Sequence, residues 1–259
     1  MTEISEGKSG YSADRVRSVL VLIATLGTIG FNFMSAAGYI NDVTPEVISD
    51  KYPTIVTPAG YAFTIWSVIY LGLIVFSIYQ LLPSQIERFR PVRSLYIASC
   101  LLNCVWIYFW NAEAIVVCLV VIFGLWLTLM LIVSRLSIYC GIAETWVLHA
   151  PFGIYFGWVT AAMLVNFAVM LVYLSKMPTG NAGVWLGAAL LLVSAVVAVF
   201  VRVRFLNFFF PLAIAWAATA IAVKNSSLTV IVVAAAAVVV IGLVTTGSVV
   251  TTLKDSTSE

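Results

Sequence analysis

The chain has 259 residues, 63% of them hydrophobic and only 9% charged, with a mean hydropathy of +1.09. Soluble globular domains carry roughly a quarter charged residues, so this composition excludes that class and points to an integral membrane protein. The net charge of +2 is too small, and the basic residues too scattered among loops, to suit a nucleic-acid partner.

The opening residues, MTEISEGKSGYSAD, hold acidic groups. They lack the compact basic and apolar regions of a signal peptide and the Arg-rich, acid-poor character of a transit peptide. The first apolar segment is therefore expected to stay, both targeting and anchoring the chain. Apolar segments long enough to cross a bilayer follow over residues 18–40, 59–82, 94–110, 114–134, 151–174, 183–201, 206–223 and 228–250. The last is rich in Val and Ala, but in lipid every backbone group needs an internal partner, which favours helix. The third segment is short, and Pro211 is expected to kink or restart the seventh. The expected fold is all-α, a polytopic transmembrane helix bundle of about eight spans.

Charge placement tests that count. With an even number of spans both termini share a side, and that side collects Lys8, Arg15, Arg17, Arg88, Arg90, Arg93, Arg135, Arg202, Arg204 and Lys254. The other side holds Lys51, Lys176 and Lys224. The bias places both termini in the cytoplasm, in a plasma or inner membrane.

Texture divides the chain. Six of the eight tryptophans (Trp66, Trp106, Trp110, Trp126, Trp146 and Trp158) precede Lys176, and the remainder is dominated by Ala, Val and Leu. With Pro178 and Gly180, residues 175–182 form the natural seam. The organisation expected is a five-helix bundle over 1–176, three further helices over 183–250 and a short polar tail over 251–259.

No Asp, Glu, Lys or Arg falls inside a predicted span, which argues against an ion-coupled transporter or pump. A retinal Schiff base would need a lysine within a helix, and there is none. Glu113 and Glu144 sit at helix ends and read as solvated carboxylates near a helix N-terminus. His149, the one histidine, reads as a helix-start or interface residue. Of the cysteines, Cys100, Cys104 and Cys118 fall in spans and Cys140 does not. Cys100 and Cys104 stand one helical turn apart, roughly 6 Å between Cβ atoms, too far for an easy disulfide, and read as small buried residues. No metal or cofactor signature is present. The amides Asn32, Asn103 and Asn166 lie within spans, where an amide must bond to another helix or to a ligand.

Three segments then resemble one family. The second helix opens on Pro58 and carries Trp66 and Tyr70 on one face. The third reads L-N-C-V-W-I-Y-F-W, with Asn103, Trp106, Phe109 and Trp110. The fifth reads P-F-G-I-Y-F-G-W-V-T-A-A-M-L-V-N-F from Pro151, with Trp158, Ala162 and Asn166. Their order and spacing are similar to those of the TspO/MBR family, the tryptophan-rich sensory or translocator proteins. The likeness covers about residues 18–176. It departs where Phe63-Thr64 replaces the family's Gly-Pro, where Gly60 replaces a Trp, in the lack of a carboxylate in the fourth helix, and in Pro151 lying about one turn further from Trp158.

The resemblance implies a non-enzymatic receptor or carrier. Its five-helix cavity, roofed by the first loop (residues 41–57, with Asp42, Glu46 and Asp50), would bind a flat hydrophobic ligand such as protoporphyrin or a sterol. Trp66, Tyr70, Asn103, Trp106, Trp158, Ala162 and Asn166 are the ligand-binding residues it selects. Stacking surfaces with a few donors suit such a macrocycle, although aromatic residues in membrane helices also simply pack or sit at the interface. Beyond the ligand, the expected partners are the lipid bilayer and a second copy of the chain; no cofactor is expected. The alternative is an uncoupled eight-helix transporter of a neutral solute. An enzyme that degrades bound porphyrin would need a catalytic group that the sequence does not offer.

Overall fold

The computed structural model describes residues 2–139 and 141–256, and the side chains of residues 13–139 and 141–244. Cys140, the side chains of Lys8 and Lys254, and the last three residues of the tail lie outside that range. Every predicted span forms a helix. The elements are α1 (Thr2–Ala36), α2 (Pro45–Lys51), α3 (Ile65–Tyr79), α4 (Arg90–Asn111), α5 (Ile115–Leu136), the single turn α6 (Ile142–Glu144), α7 (Ala150–Tyr173), α8 (Gly180–Phe205), α9 (Phe209–Lys224) and α10 (Leu228–Ser256). A 3-10 turn, Gly60–Thr64, precedes α3, and a π turn, Thr145–His149, joins α6 to α7. Among the described residues six helical segments are long and apolar enough to cross a membrane. The 16-residue α9 rises about 24 Å, short of a hydrocarbon core of about 30 Å. The chain forms two compact units, Met1–Ile48 with Trp66–Phe152, and Ser49–Ile65 with Gly153–Glu259. The loop at 175–182 thus lies within the second unit.

In the first unit α1 buries Asp14, Ser18, Val21, Thr25, Thr28, Asn32 and Ser35. Their alternating spacing of four and three is a heptad seam, and all but one are polar. The seam meets α4 in register: Thr25 Oγ1 lies 2.6 Å from the Tyr96 hydroxyl, and Asn32 Nδ2 donates to Asn103 Oδ1 at 2.7 Å. At its end Asn111 Nδ2 donates to Ser35 Oγ at 2.9 Å and to the Val43 carbonyl at 3.1 Å. Because partner numbers rise together, α1 and α4 run parallel. Below the rungs, Phe76, Tyr96 and Phe152 interlock, with Phe76 and Phe152 edge-to-face at 4.8 Å. Gly72 admits the ring of Pro151, for a Cβ there would lie 2.8 Å from the Pro151 Cβ.

Charge is more deeply placed than expected. Sequence reading set Arg93 and Arg202 at the margins of their spans, whereas the structure draws both into helices, 1% and 3% exposed. Arg93 can be buried because Nε donates to Gln80 Oε1 at 2.9 Å, while Gln80 Nε2 donates to the Ser18 carbonyl at 2.7 Å. Asp14, 2% exposed, faces Arg93 at 4.0 Å and pairs with Arg90. Glu144 is likewise no solvated carboxylate but pairs with Arg88 at 2.9 Å. His149, expected at a helix start, instead closes the π turn that runs into α7, with Nε2 2.7 Å from the Tyr139 carbonyl oxygen.

In the second unit α7 approaches α9 through Gly153 and Gly157, a small-xxx-small pair that lets two backbones meet. A Cβ at Gly157 would lie 2.5 Å from the Phe210 carbonyl oxygen and 2.8 Å from the Ala213 Cβ. A Cβ at Gly153 would collide with the Asn207 amide. That amide caps α9, its Oδ1 accepting the N–H groups of Phe209 and Phe210 at 2.9 and 3.0 Å. Pro211 then sits in the first turn, where a missing N–H costs nothing, so it restarts the helix rather than kinking it. Val56, Leu191, Ala218, Ile221 and Val230 form the centre of this unit.

Removing one member of a buried charge cluster strands the others, at a cost of about 3–5 kcal/mol. Arg93→Ala is expected to lower unfolding stability in detergent by that order, whereas Arg135→Ala, at an exposed arginine, is expected to change it by less than about 1 kcal/mol. Thermal or denaturant unfolding of the two variants checks this.

Candidate functional site

Four of the seven sequence-selected residues lie in the first unit. Trp66 and Tyr70, one turn apart on α3, stack with ring centroids at 5.4 Å and planes 17° apart. On α4, Trp106 stacks on Trp110 at 5.8 Å and 29°. Asn103, fully buried, lies three residues from Trp106, so both face the same way. The Asn32 amide occupies Asn103 Oδ1, yet Asn103 Nδ2 and Trp106 Nε1 are buried donors without an acceptor among the described residues.

The other three lie in the second unit on one stripe of α7, at spacings of four: Trp158 buried, Ala162 half-buried and Asn166 only 1% exposed. Asn166 is the least satisfied group of the set. Neither its Nδ2 nor its Oδ1 has a hydrogen-bond partner among the described residues. Packing glue, the default for a membrane amide, therefore accounts for the Asn32 donor and for Asn103 Oδ1 and leaves Asn103 Nδ2 and the whole Asn166 amide unexplained.

Phe63 was missed as a site residue. Sequence reading noted it only as a departure from the family pattern, but its ring sits edge-on to Trp158 at 6.0 Å and 80°. The signal available was its place just ahead of the Trp66 motif, in a segment with no charge.

Two cavities in the second unit are lined by other residues. One, of about 20 Å³, is edged by Ala161 and Val165 of α7 and by Leu191 and Ser194 of α8. Another, of about 620 Å³, is an apolar groove between α8 and α10 bordered by Trp185, Ala195 and Ala236. None of the seven residues lines either. Among the described residues no group of three or more His, Cys, Asp or Glu side chains could hold a metal ion. Cys100, Cys104 and Cys118 are free thiols.

Long apolar helices, polar atoms turned inward and apolar side chains turned outward define a polytopic integral membrane protein. Its sequence matches the TSPO-like protein family over residues 18–248, and the chain belongs to that family. The match continues through α8, α9 and most of α10, well past the reach of the three motifs. Neither a curated relative nor a solved structure matches the chain.

Because both amide atoms of Asn166 are orphaned, each costs the apo protein about 1–3 kcal/mol. Asn166→Leu, of similar shape, is expected to raise the unfolding temperature of the protein alone, and would weaken ligand binding if the amide serves the role that the family resemblance implies. A fall in both would show that the amide serves packing; differential scanning fluorimetry with and without protoporphyrin distinguishes the two.

Proposed function

We propose that this protein is a non-enzymatic membrane receptor or carrier for a flat hydrophobic ligand of the tetrapyrrole or sterol type. The observation that carries the reading is the set of buried, unpartnered polar atoms on the motif residues themselves: Asn103 Nδ2, Trp106 Nε1 and both amide atoms of Asn166. Native interiors leave few such atoms unpaired; Asn103 Nδ2 and Trp106 Nε1 lie on the helix of the stacked Trp106–Trp110 pair, and Asn166 lies two turns along α7 from Trp158. In the first unit the Trp66–Tyr70 and Trp106–Trp110 pairs supply flat apolar surfaces beside two donors. In the second, Trp158 supplies the surface, Ala162 the space one turn on, and Asn166 both a donor and an acceptor. A tetrapyrrole offers the matching combination, a broad π face with polar edges. A simple apolar lipid would leave the same atoms unpaired.

Membership of the TSPO-like family supports this reading. Both termini facing the cytoplasm, with the ten-to-three basic split as support, completes it. A C-terminal tag protected from protease in intact cells and cleaved after permeabilisation is the expected result.

The direct test is a thermal-shift screen of purified protein against tetrapyrroles, sterols and polar metabolites, since a ligand that binds the folded state raises its apparent stability. Ala162→Phe fills the recess beside Trp158 and is expected to weaken protoporphyrin binding by more than about tenfold, equivalent to roughly 1.4 kcal/mol. Ala236→Phe, in the groove between α8 and α10, is expected to leave it nearly intact. Tryptophan-quenching titrations of both, with gel filtration to verify folding, measure the difference. Stabilisation by polar metabolites alone, with solute flux into vesicles, would favour an uncoupled transporter.

A further inference from the structure

Residues 41–57 were expected to be a loop over the cavity, and the segment between α2 and α3 comprises the last part of that loop and the 3-10 turn Gly60–Thr64. In the second unit it is instead a strap fastened along its length to the C-terminal helices. Asp50 pairs with Lys224 at the end of α9. The Ile55 side chain occupies the space left by Gly187 of α8, where any Cβ would collide with it, and Asn225 Nδ2 donates to the Ile55 carbonyl at 2.6 Å. Val56 is 2% exposed in the core that α8, α9 and α10 share. Further along, the Ala59 N–H donates to the Ala220 carbonyl at 3.0 Å, and Trp216 Nε1–H donates to the Ala62 carbonyl at 3.0 Å. Tyr61 stands edge-on to Trp216 at 5.3 Å. The next residue, Phe63, meets Trp158.

The strap has little structure of its own. Between the end of α2 and the 3-10 turn its internal bonds are local ones between Thr54, Val56 and Thr57. Its position is therefore set by what holds its backbone carbonyls and N–H groups, partners that belong to α9 and the residue following it, and by the recess at Gly187 of α8 that takes the Ile55 side chain. One end of this chain of contacts is Asn225 and Gly187; the other is the ring of Trp158.

We propose that the C-terminal helices α8 to α10 act as a latch for the strap, and that the latched strap makes Phe63 a positioning residue for Trp158. The consequence for ligand release rests on the function proposed above; the mechanical link does not. With the latch engaged, Phe63 holds the indole in one orientation. When the strap lifts, Phe63 withdraws, the indole gains freedom and the ligand is let go. The three helices outside the recognisable motifs thereby acquire a role in the site.

The test uses the full chain labelled with 5-fluorotryptophan, with the Trp158 resonance assigned by Trp158→Phe. Phe63→Leu sets the resonance position of an indole without the Phe63 ring against it. Asn225→Ala removes the bond to the Ile55 carbonyl, and Gly187→Val pushes Ile55 outward; neither residue lies on α7 or in the 3-10 turn that carries Phe63. Both are expected to move or broaden the Trp158 resonance toward that of Phe63→Leu while the Trp66 and Trp106 resonances stay in place. An unchanged Trp158 resonance in folded Asn225→Ala overturns the latch, and so does a uniform change in every resonance. Asn225→Ala adds no bulk, so it decides the matter if Gly187→Val does not fold. In the same Asn225→Ala protein, protoporphyrin is expected to dissociate at least threefold faster. Unchanged dissociation alongside a shifted Trp158 resonance overturns the release step. Failure of the unsubstituted protein to bind any tetrapyrrole or sterol defeats the proposed function, and the fluorine spectra still decide the latch.

Discussion

Water is absent from the middle of a bilayer, and the first unit is organised by that absence. An amide or hydroxyl facing lipid loses several kcal/mol with nothing to replace its hydration, so the polar residues of α1 must face inward and find one another. Asn32, Thr25 and Ser35 each meet a polar group of α4 or the segment beside it. Interhelical hydrogen bonds in membranes are individually modest, averaging about 0.6 kcal/mol. Their force lies in exclusion. Slipping the register by one residue would strand several groups together, so the seam selects a single arrangement more strongly than it stabilises that arrangement. The buried Arg93–Gln80–Asp14 cluster works in the same way at the end of the seam, since its members are tolerable only together.

The second unit solves a different problem, because its helices are nearly devoid of polar groups. Where hydrophobicity cannot drive association within lipid, close packing must. Gly153 and Gly157 on α7 admit the α9 backbone, and Gly187 on α8 admits Ile55. On α7 the glycine stripe and the stripe of Trp158, Ala162 and Asn166 have the same period and are offset by little more than one residue, about 100° around the helix axis. One helix thus spends one face on docking and keeps a neighbouring face for other work. The docking face fixes the rotation of α7 about its own axis, and that rotation aims Asn166.

These two regimes explain what sequence reveals. Helix existence was legible throughout, because an apolar run in lipid has no alternative to helix, and all eight segments formed where composition put them. Boundaries extended beyond charged residues because Arg93 and Arg202 have long stems and local partners, and no composition rule foresees the company a side chain will find. Glu144 was misjudged for the same reason: its partner Arg88 is 56 residues away. The role of the strap could not be read at all. Ile55, Ala59 and Ala62 are anchored mainly through their backbones, and a backbone contact leaves almost no mark on residue type. Gly187 was the one visible trace, indistinguishable from other small residues in a bland helix.

The distribution of unsatisfied atoms then acquires meaning. A chain that pairs nearly every hydroxyl and amide on α1 had the means to pair or replace Asn166, and leucine would fit the requirement of shape without the cost. Departures from internal consistency in otherwise well-packed proteins concentrate where function demands them, and the stability lost there is supplied elsewhere, here by the seam and by the tightly packed glycine contacts. Under the proposed function, a ligand that completed these bonds would gain more in lipid than in water, because the competing solvent is missing. The same reasoning would limit such a ligand: it would have to be apolar enough to enter from the bilayer, flat enough to lie on an indole, and polar at an edge, since only the edge could reach an amide turned inward from a helix.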